Sequence, residues 1–168
     1  LNGFLRIHRD TVELVPHDPG HRARHRYDFE YDPDATAPTF TGYLDSVWLE
    51  DPDAAAKRTV VQEYLGACLF GFAARSKRVL LLVGDGDSGK STLLNVIDGV
   101  MPPGSVTHIP PQQFRSDYHR AQLAGALVNT VAEVAETEWM DPATFKALVG
   151  DDKISARSPY KDVITFRP

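Results

Sequence analysis

Val79-Leu80-Leu81-Leu82-Val83-Gly84-Asp85-Gly86-Asp87-Ser88-Gly89-Lys90-Ser91-Thr92 is the stretch that decides the fold. Its first five residues form a short all-apolar run ending at a glycine, the pattern of a strand buried on both faces. Residues 91–100 read as a helix, which Met101-Pro102-Pro103-Gly104 stops. Between the two lies Gly84-x-x-x-x-Gly89-Lys90-Ser91, a P-loop pattern in the strand-to-helix context that its physics requires. The glycines let backbone N–H groups turn inward around phosphates, and the following helix N-terminus adds partial positive charge. Lys90 is expected to reach the β- and γ-phosphates of ATP, and the Ser91 hydroxyl to ligate Mg²⁺. Gly84, Asp85, Gly86, Asp87, Ser88, Gly89, Lys90, Ser91 and Thr92 are therefore the expected nucleotide contacts. Asp85 and Asp87 add negative charge and are expected to face solvent. The plainer alternative is an ordinary glycine-rich turn from strand to helix.

Working downstream, a phosphate-cleaving site of this kind needs a second strand that ends in a carboxylate, to hold Mg²⁺ through water and polarise the attacking water. Residues 126–134 are an apolar run that offers Glu133 for both roles, with Glu136 behind it. An adjacent pair of acids is absent because Ala132 precedes Glu133, and a solvated acid at a strand end is the alternative. Residues 106–109 read as a further strand and 112–123 as a helix. Asp141-Pro142 caps a short helix through Val149, and residues 153–156 and 163–166 form a predicted hairpin around Arg157-Ser158-Pro159-Tyr160. Lys146, Lys153, Arg157, Tyr160 and Lys161 place cations and an aromatic in or beside that hairpin. Such a group can grip a single DNA strand by phosphate contacts and base stacking, although scattered charge is also common on exposed hairpins.

Working upstream, residues 1–37 hold strand-like pieces at 12–15 and 27–31, broken by Pro16, Pro19-Gly20 and Asp32-Pro33. From Pro38 the pattern turns helical. Asp51-Pro52 reads as an N-cap followed by a proline in the first helical position. The long helix that follows carries Val60, Val61, Tyr64, Leu65, Cys68, Leu69 and Phe72 along one face. Cys68 is read as a packed core thiol, and Trp48 and Trp139 as packing residues. His17, His21 and His25 would share a face on a helix and could then ligate a metal. Pro19-Gly20 and the interleaved Arg22, Arg24 and Arg26 favour a solvated basic loop instead.

The chain has 168 residues, enough for one α/β domain with a small N-terminal appendage, here divided at 1–74 and 75–168. Its formal charge of −5 means that any nucleic-acid contact must be local. A single cysteine excludes an internal disulfide, and no apolar run is long enough for a membrane span, so a cytoplasmic location is expected.

Taken in order, Asn2-Gly3-Phe4-Leu5, Tyr31-Asp32-Pro33, Ala35 with Pro38, Gln62-Glu63-Tyr64-Leu65-Gly66, the P-loop, residues 126–133 and Lys146-Ala147-Leu148-Val149-Gly150-Asp151 resemble one family. It is the phage and plasmid primase-helicase group of the poxvirus-like type, within the superfamily 3 helicases. The resemblance runs through almost the whole chain, and Ile154-Ser155-Ala156-Arg157-Ser158-Pro159-Tyr160-Lys161 looks like the segment before that family's sensor motif. It implies a three-layer, AAA+-like P-loop sheet flanked by helices, with a small N-terminal helical linker. It also implies a hexameric ring that hydrolyses ATP between subunits and draws one DNA strand through its centre, 3′ to 5′. Lys90, Ser91 and Glu133 fall on the family's nucleotide and metal positions, and Lys146, Arg157 and Lys161 in its third block and hairpin region. The family continues beyond Thr165-Phe166-Arg167-Pro168 into a strand ending in a sensor asparagine and later an arginine finger. The expectation is therefore a fragment, with two apolar edges unpaired beside the P-loop strand and hydrolysis weakened. A P-loop switch or loader and an inactive nucleotide-binding assembly module are the rival readings.

Overall fold

The computed structural model describes residues 2–9, 11–134 and 141–168. Glu136 and Trp139 lie outside the described residues. Near the N-terminus β1 (Phe4–Ile7) and β2 (Val12–Val15) pair antiparallel, with Phe4 opposite Val15. Residues 27–31, expected to be strand-like, join no ladder among the described residues. Side chains hold them instead: Asn2 donates to the Tyr31 carbonyl at 2.8 Å and accepts the Tyr31 N–H at 3.0 Å, while the Tyr27 hydroxyl donates to the Leu69 carbonyl. Pro19 to His21 form a single 3₁₀ turn, and His21 stacks on Phe4 with ring centroids 4.2 Å apart.

α1 (Pro38–Val47) opens on a proline, whose missing N–H costs nothing in a first turn. α2 (Ala54–Leu69) starts later than Asp51-Pro52 implied, with Asp53 as its N-cap. Asp51 makes the preceding turn, because its short carboxylate accepts the Asp53 N–H at 2.8 Å while also pairing with Lys57. On the expected apolar face Val61 and Cys68 are buried, with Tyr64, Leu65 and Leu69 packed beside them. Val60 is exposed, and Phe72 lies beyond the helix end, where the Arg75 guanidinium sits 5.0 Å from its ring.

α3 (Lys90–Val100) contributes Leu93 and Ile97 to the same cluster, joined by Met101 and Val128. β3 (Val106–Thr107) and β4 (Val128–Asn129) pair in parallel, Val106 beside Val128. Both are shorter than the expected runs. The helix expected over 112–123 is divided: Pro111 to Arg115 form a 3₁₀ turn, and Ser116, in extended conformation, caps the short α4 (Asp117–Gln122). α5 (Pro142–Val149) begins as read, with the Asp141 carboxylate accepting the Thr144 N–H at 3.1 Å. Those hydrogen bonds from the Thr144 side chain and backbone hold the Asp141 carboxyl below the usual carboxylate range. β5 (Ile154–Arg157) and β6 (Val163–Phe166) form the expected hairpin, Arg157 opposite Val163. Ile154, Leu148, Ile109, Phe114 and Leu123 make a second buried cluster beneath it.

Residues 79–83 correct the reading of a strand buried on both faces. They belong to no sheet among the described residues, and Val79, Leu81 and Val83 are 53%, 74% and 85% exposed. Leu80 and Leu82 alternate with them and turn inward, so one face packs and the other does not. Among the described residues β4 likewise pairs on one side only. Val128 donates its N–H to the carbonyl of Ser105, just before β3, and Thr130 to that of Thr107 within it, which directs the N–H of Asn129 the other way. An open groove of about 870 Å³ is lined by both segments, with Leu80, Leu82, Asn129 and Val131 among its walls.

Burial pushes the Cys68 thiol up from 9.0 to about 11, and raises the Tyr27 and Tyr64 phenols as well. A raised folded-state pKa for an acid stabilises the fold fully below the unfolded value and is lost as pH rises through the folded one. The urea midpoint is therefore expected to start falling near pH 9 and to continue falling toward about pH 11. An unchanged midpoint across that window would remove these buried groups as the cause.

Candidate phosphate-binding site

Residues 84–89 form an irregular loop that enters α3 at Lys90. Gly89 is the N-cap, with φ +86°, a region that favours glycine. A side chain there would also collide with α1, since a Cβ would lie 2.9 Å from Val47 Cγ2 and 3.2 Å from the Tyr43 hydroxyl oxygen. Asp87 takes φ +58°, which short polar residues tolerate best among residues with a Cβ. The side chain of Lys90 folds back over the loop. Its Nζ donates to the Gly84 carbonyl at 2.8 Å, the Asp85 carbonyl at 2.6 Å and Ser88 Oγ at 3.0 Å. The loop is thus wrapped around an ammonium group at the start of a helix, which puts a full positive charge and a helix N-terminus at one place. Asp85, Asp87, Ser91 and Thr92 are exposed, as are Gly84 and Gly86, while Ser88, Gly89 and Lys90 are half-buried.

Tyr43, in α1, also bears on the loop. Its hydroxyl donates to the Gly89 carbonyl at 2.7 Å, and the Leu93 N–H reaches the same carbonyl at 3.0 Å. Nothing in the sequence marks it apart from Phe40 and Trp48, its aromatic neighbours in the same core.

Glu133 lies beyond β4, exposed, and lines the same groove as Lys90 and Gly84. Two polar joints hold the strand that leads to it. The buried Thr130 hydroxyl donates to Asp98 Oδ1 of α3 at 2.9 Å, and His108 Nδ1 lies 2.9 Å from the same hydroxyl. The Asn129 side chain accepts from Thr107 Oγ1 and the Ile109 N–H, each at 2.9 Å, and donates to the Ile109 carbonyl at 3.0 Å. Asn129 therefore prolongs by its amide a ladder that the backbone leaves short. Asp98, Asn129, Thr130 and His108 carry no recognisable motif, so only the folded arrangement reveals them.

The hairpin gathers part of the expected cationic group. Arg157 and Lys161 meet at the tip, where Arg157 Nε donates to the Lys161 carbonyl at 3.1 Å. Tyr160 stands between them in sequence, fully exposed and with φ +58°. Lys153 precedes β5 at the opposite end of the hairpin, and Lys146 lies exposed on α5. The tip is thus one cluster, and those two lysines stand apart from it.

Residues 82–168, from the loop through the hairpin, match the family of unknown function DUF5906. The chain belongs to that family. Residues 2–49 match the D5 N terminal-like domain, which belongs to phage and viral primase-helicase proteins. No curated protein matches the chain. In this DUF5906 member the D5-like segment ends just past α1, so the Tyr43–Gly89 hydrogen bond joins the two matched regions directly.

Gly89→Ala is expected to destabilise the fold by about 1–3 kcal/mol from the left-handed backbone alone, with the Val47 contact adding to it. Gly86→Ala is the control, because nothing lies within 4 Å of a Cβ there. Urea denaturation of both variants checks this, and equal midpoints would refute it.

Proposed function

We propose that this chain is the nucleotide-binding part of an ATP-driven DNA helicase of the superfamily 3 type, working in phage or plasmid replication in the cytoplasm. The observation that carries the reading is the loop of residues 84–89 closed around the Lys90 ammonium at the mouth of α3. Carbonyl oxygens and a hydroxyl now occupy the lysine's donors, and phosphate oxygens are stronger partners for the same ammonium. The exposed Ser91 hydroxyl next to it suits a magnesium ligand, and Glu133 on the shared groove suits the role of orienting water. Mg²⁺ supplies charge neutralisation on the phosphates; the chain's own residues bind, orient and shield them. The D5 N terminal-like match supports the primase-helicase setting. In this reading the protein is a three-layer P-loop domain that assembles as a hexamer, and the tip formed by Arg157, Tyr160 and Lys161 contacts a single DNA strand, with Lys146 and Lys153 as outlying cations.

The wild-type chain is expected to bind ATP in the presence of Mg²⁺ by isothermal titration, and Lys90→Ala to weaken that binding by more than about tenfold, the worth of charge-assisted hydrogen bonds. A wild-type chain that binds no nucleotide would sink the reading. A switch or an inactive module would bind alike, but the switch would not couple turnover to bases moved and the module would have no turnover.

At the hairpin, replacing Arg157 and Lys161 together by alanine is expected to reduce the slope of log affinity for single-stranded DNA against log salt by about 0.7 per cation. An unchanged slope would exclude the tip from the DNA contact.

A further inference from the structure

We infer that Tyr43 is a positioning residue for the phosphate site: its hydroxyl fixes the Gly89–Lys90 peptide so that the Lys90 backbone N–H faces the loop's interior. This rests on the nucleotide-binding reading above and extends it to a residue outside the loop. The argument begins with the peptide unit itself. The Gly89 carbonyl and the Lys90 N–H belong to one planar trans peptide, so they point in opposite directions. Whatever holds the carbonyl therefore aims the N–H. The Gly89 carbonyl accepts from Leu93 N at 3.0 Å and from the Tyr43 hydroxyl at 2.7 Å, both on the helix side. The Lys90 N–H is thereby turned away from α3's body, among the first-turn donors that have no partner within a helix.

Gly89 makes this restraint necessary. A glycine at φ +86° samples other conformations more freely than any other residue, so its peptide is the least self-restrained in the loop. α1 removes that freedom by close approach, with Tyr43 and Val47 in the space a Cβ would fill. Burial raises the Tyr43 phenol above its ordinary value, which keeps the proton on the donor, while a hydrogen bond from the Leu93 amide pulls the other way. Phe40 stacks on Tyr43 with centroids 6.1 Å apart and joins the same core, so the ring is held from behind. Nucleotide affinity thus depends on α1, an element of the D5-like segment.

The test compares the wild type, Tyr43→Phe and Ile154→Val. Tyr43→Phe deletes one hydroxyl and keeps the ring; Ile154→Val removes one methyl group from the second buried cluster and leaves Tyr43 and its neighbours untouched. The expected result is that Tyr43→Phe binds MgATP about three- to tenfold more weakly, the worth of one hydrogen bond, with the Lys90 amide resonance displaced in the free protein. Ile154→Val is expected to lower the urea midpoint while leaving MgATP affinity unchanged under native conditions. A purely structural role for Tyr43 would lower its midpoint only, and equal MgATP affinity in wild type and Tyr43→Phe would overturn the inference. Absence of MgATP binding by the wild type would overturn the nucleotide reading and this inference with it. The free-protein Lys90 resonance would still report whether the hydroxyl orients the peptide, so the two failures are distinguishable.

Discussion

A helix end can address an anion only if the helix cannot turn away, because its partial charge acts over little more than the first turn. For α3 that constraint is met by burial. Leu93 and Ile97, 3% and 2% exposed, are locked against Val61 and Cys68 of α2 and Val128 of β4. These residues come from three parts of the chain that are distant in sequence. The loop of residues 84–89 owes its shape to local glycines, but its direction is set by this nonlocal core. The N-terminal helices are consequently part of the loop's foundation: without α2, Leu93 and Ile97 would face water and the helix would lose the face that orients it.

Polar joints then complete what apolar packing leaves loose. Packing is non-directional, and a helix held only by it can slide or rotate by small amounts. The hydroxyls of Tyr43 and Thr130 pin α3 at its two ends, one through the Gly89 carbonyl and the other through Asp98. Each bond is worth only about 1 kcal/mol net. The cost of leaving a buried partner unpaired is larger, and Thr130 is 6% exposed, so registry is enforced by penalty more than by attraction. Glu133 lies past the last such joint.

What the sequence discloses and what it withholds follow the same division. The glycine-rich turn into α3, α3 itself, α5 with its Asp141 cap, and the hairpin of β5 and β6 are legible because their signals lie within a few residues. A carboxylate capping Thr144 or a turn between two short apolar runs needs no distant partner. Residues 79–83 fail for the opposite reason. An all-apolar run states that both faces can be buried, but burial needs neighbours that the run does not specify, and here only Leu80 and Leu82 find them. The shift of the α2 start from Asp51 to Asp53 is a smaller failure of the same kind, since two acids next to Pro52 offer equivalent caps and the turn chooses between them. Tyr43 was invisible because its role depends on one carbonyl 46 positions away in the chain.

The two buried clusters give the molecule a mechanical layout. The loop and α3 rest on the first, while the hairpin rests on the second, through Ile154 and Phe166. Chain segments on either side of β3 and β4 run from one to the other: Val106 packs on the first cluster and Ile109 in the second, as do Val128 and Leu123 respectively. The Asn129 amide sits at that crossing, bonded to both the N–H and the carbonyl of Ile109. A half-buried amide with both its oxygen and its nitrogen engaged resists shear better than apolar contact does, because sliding would break directional bonds. In the proposed motor, displacement at the loop would therefore reach the hairpin through the short parallel pair and its Asn129 joint, and it would arrive as a movement of the whole second cluster.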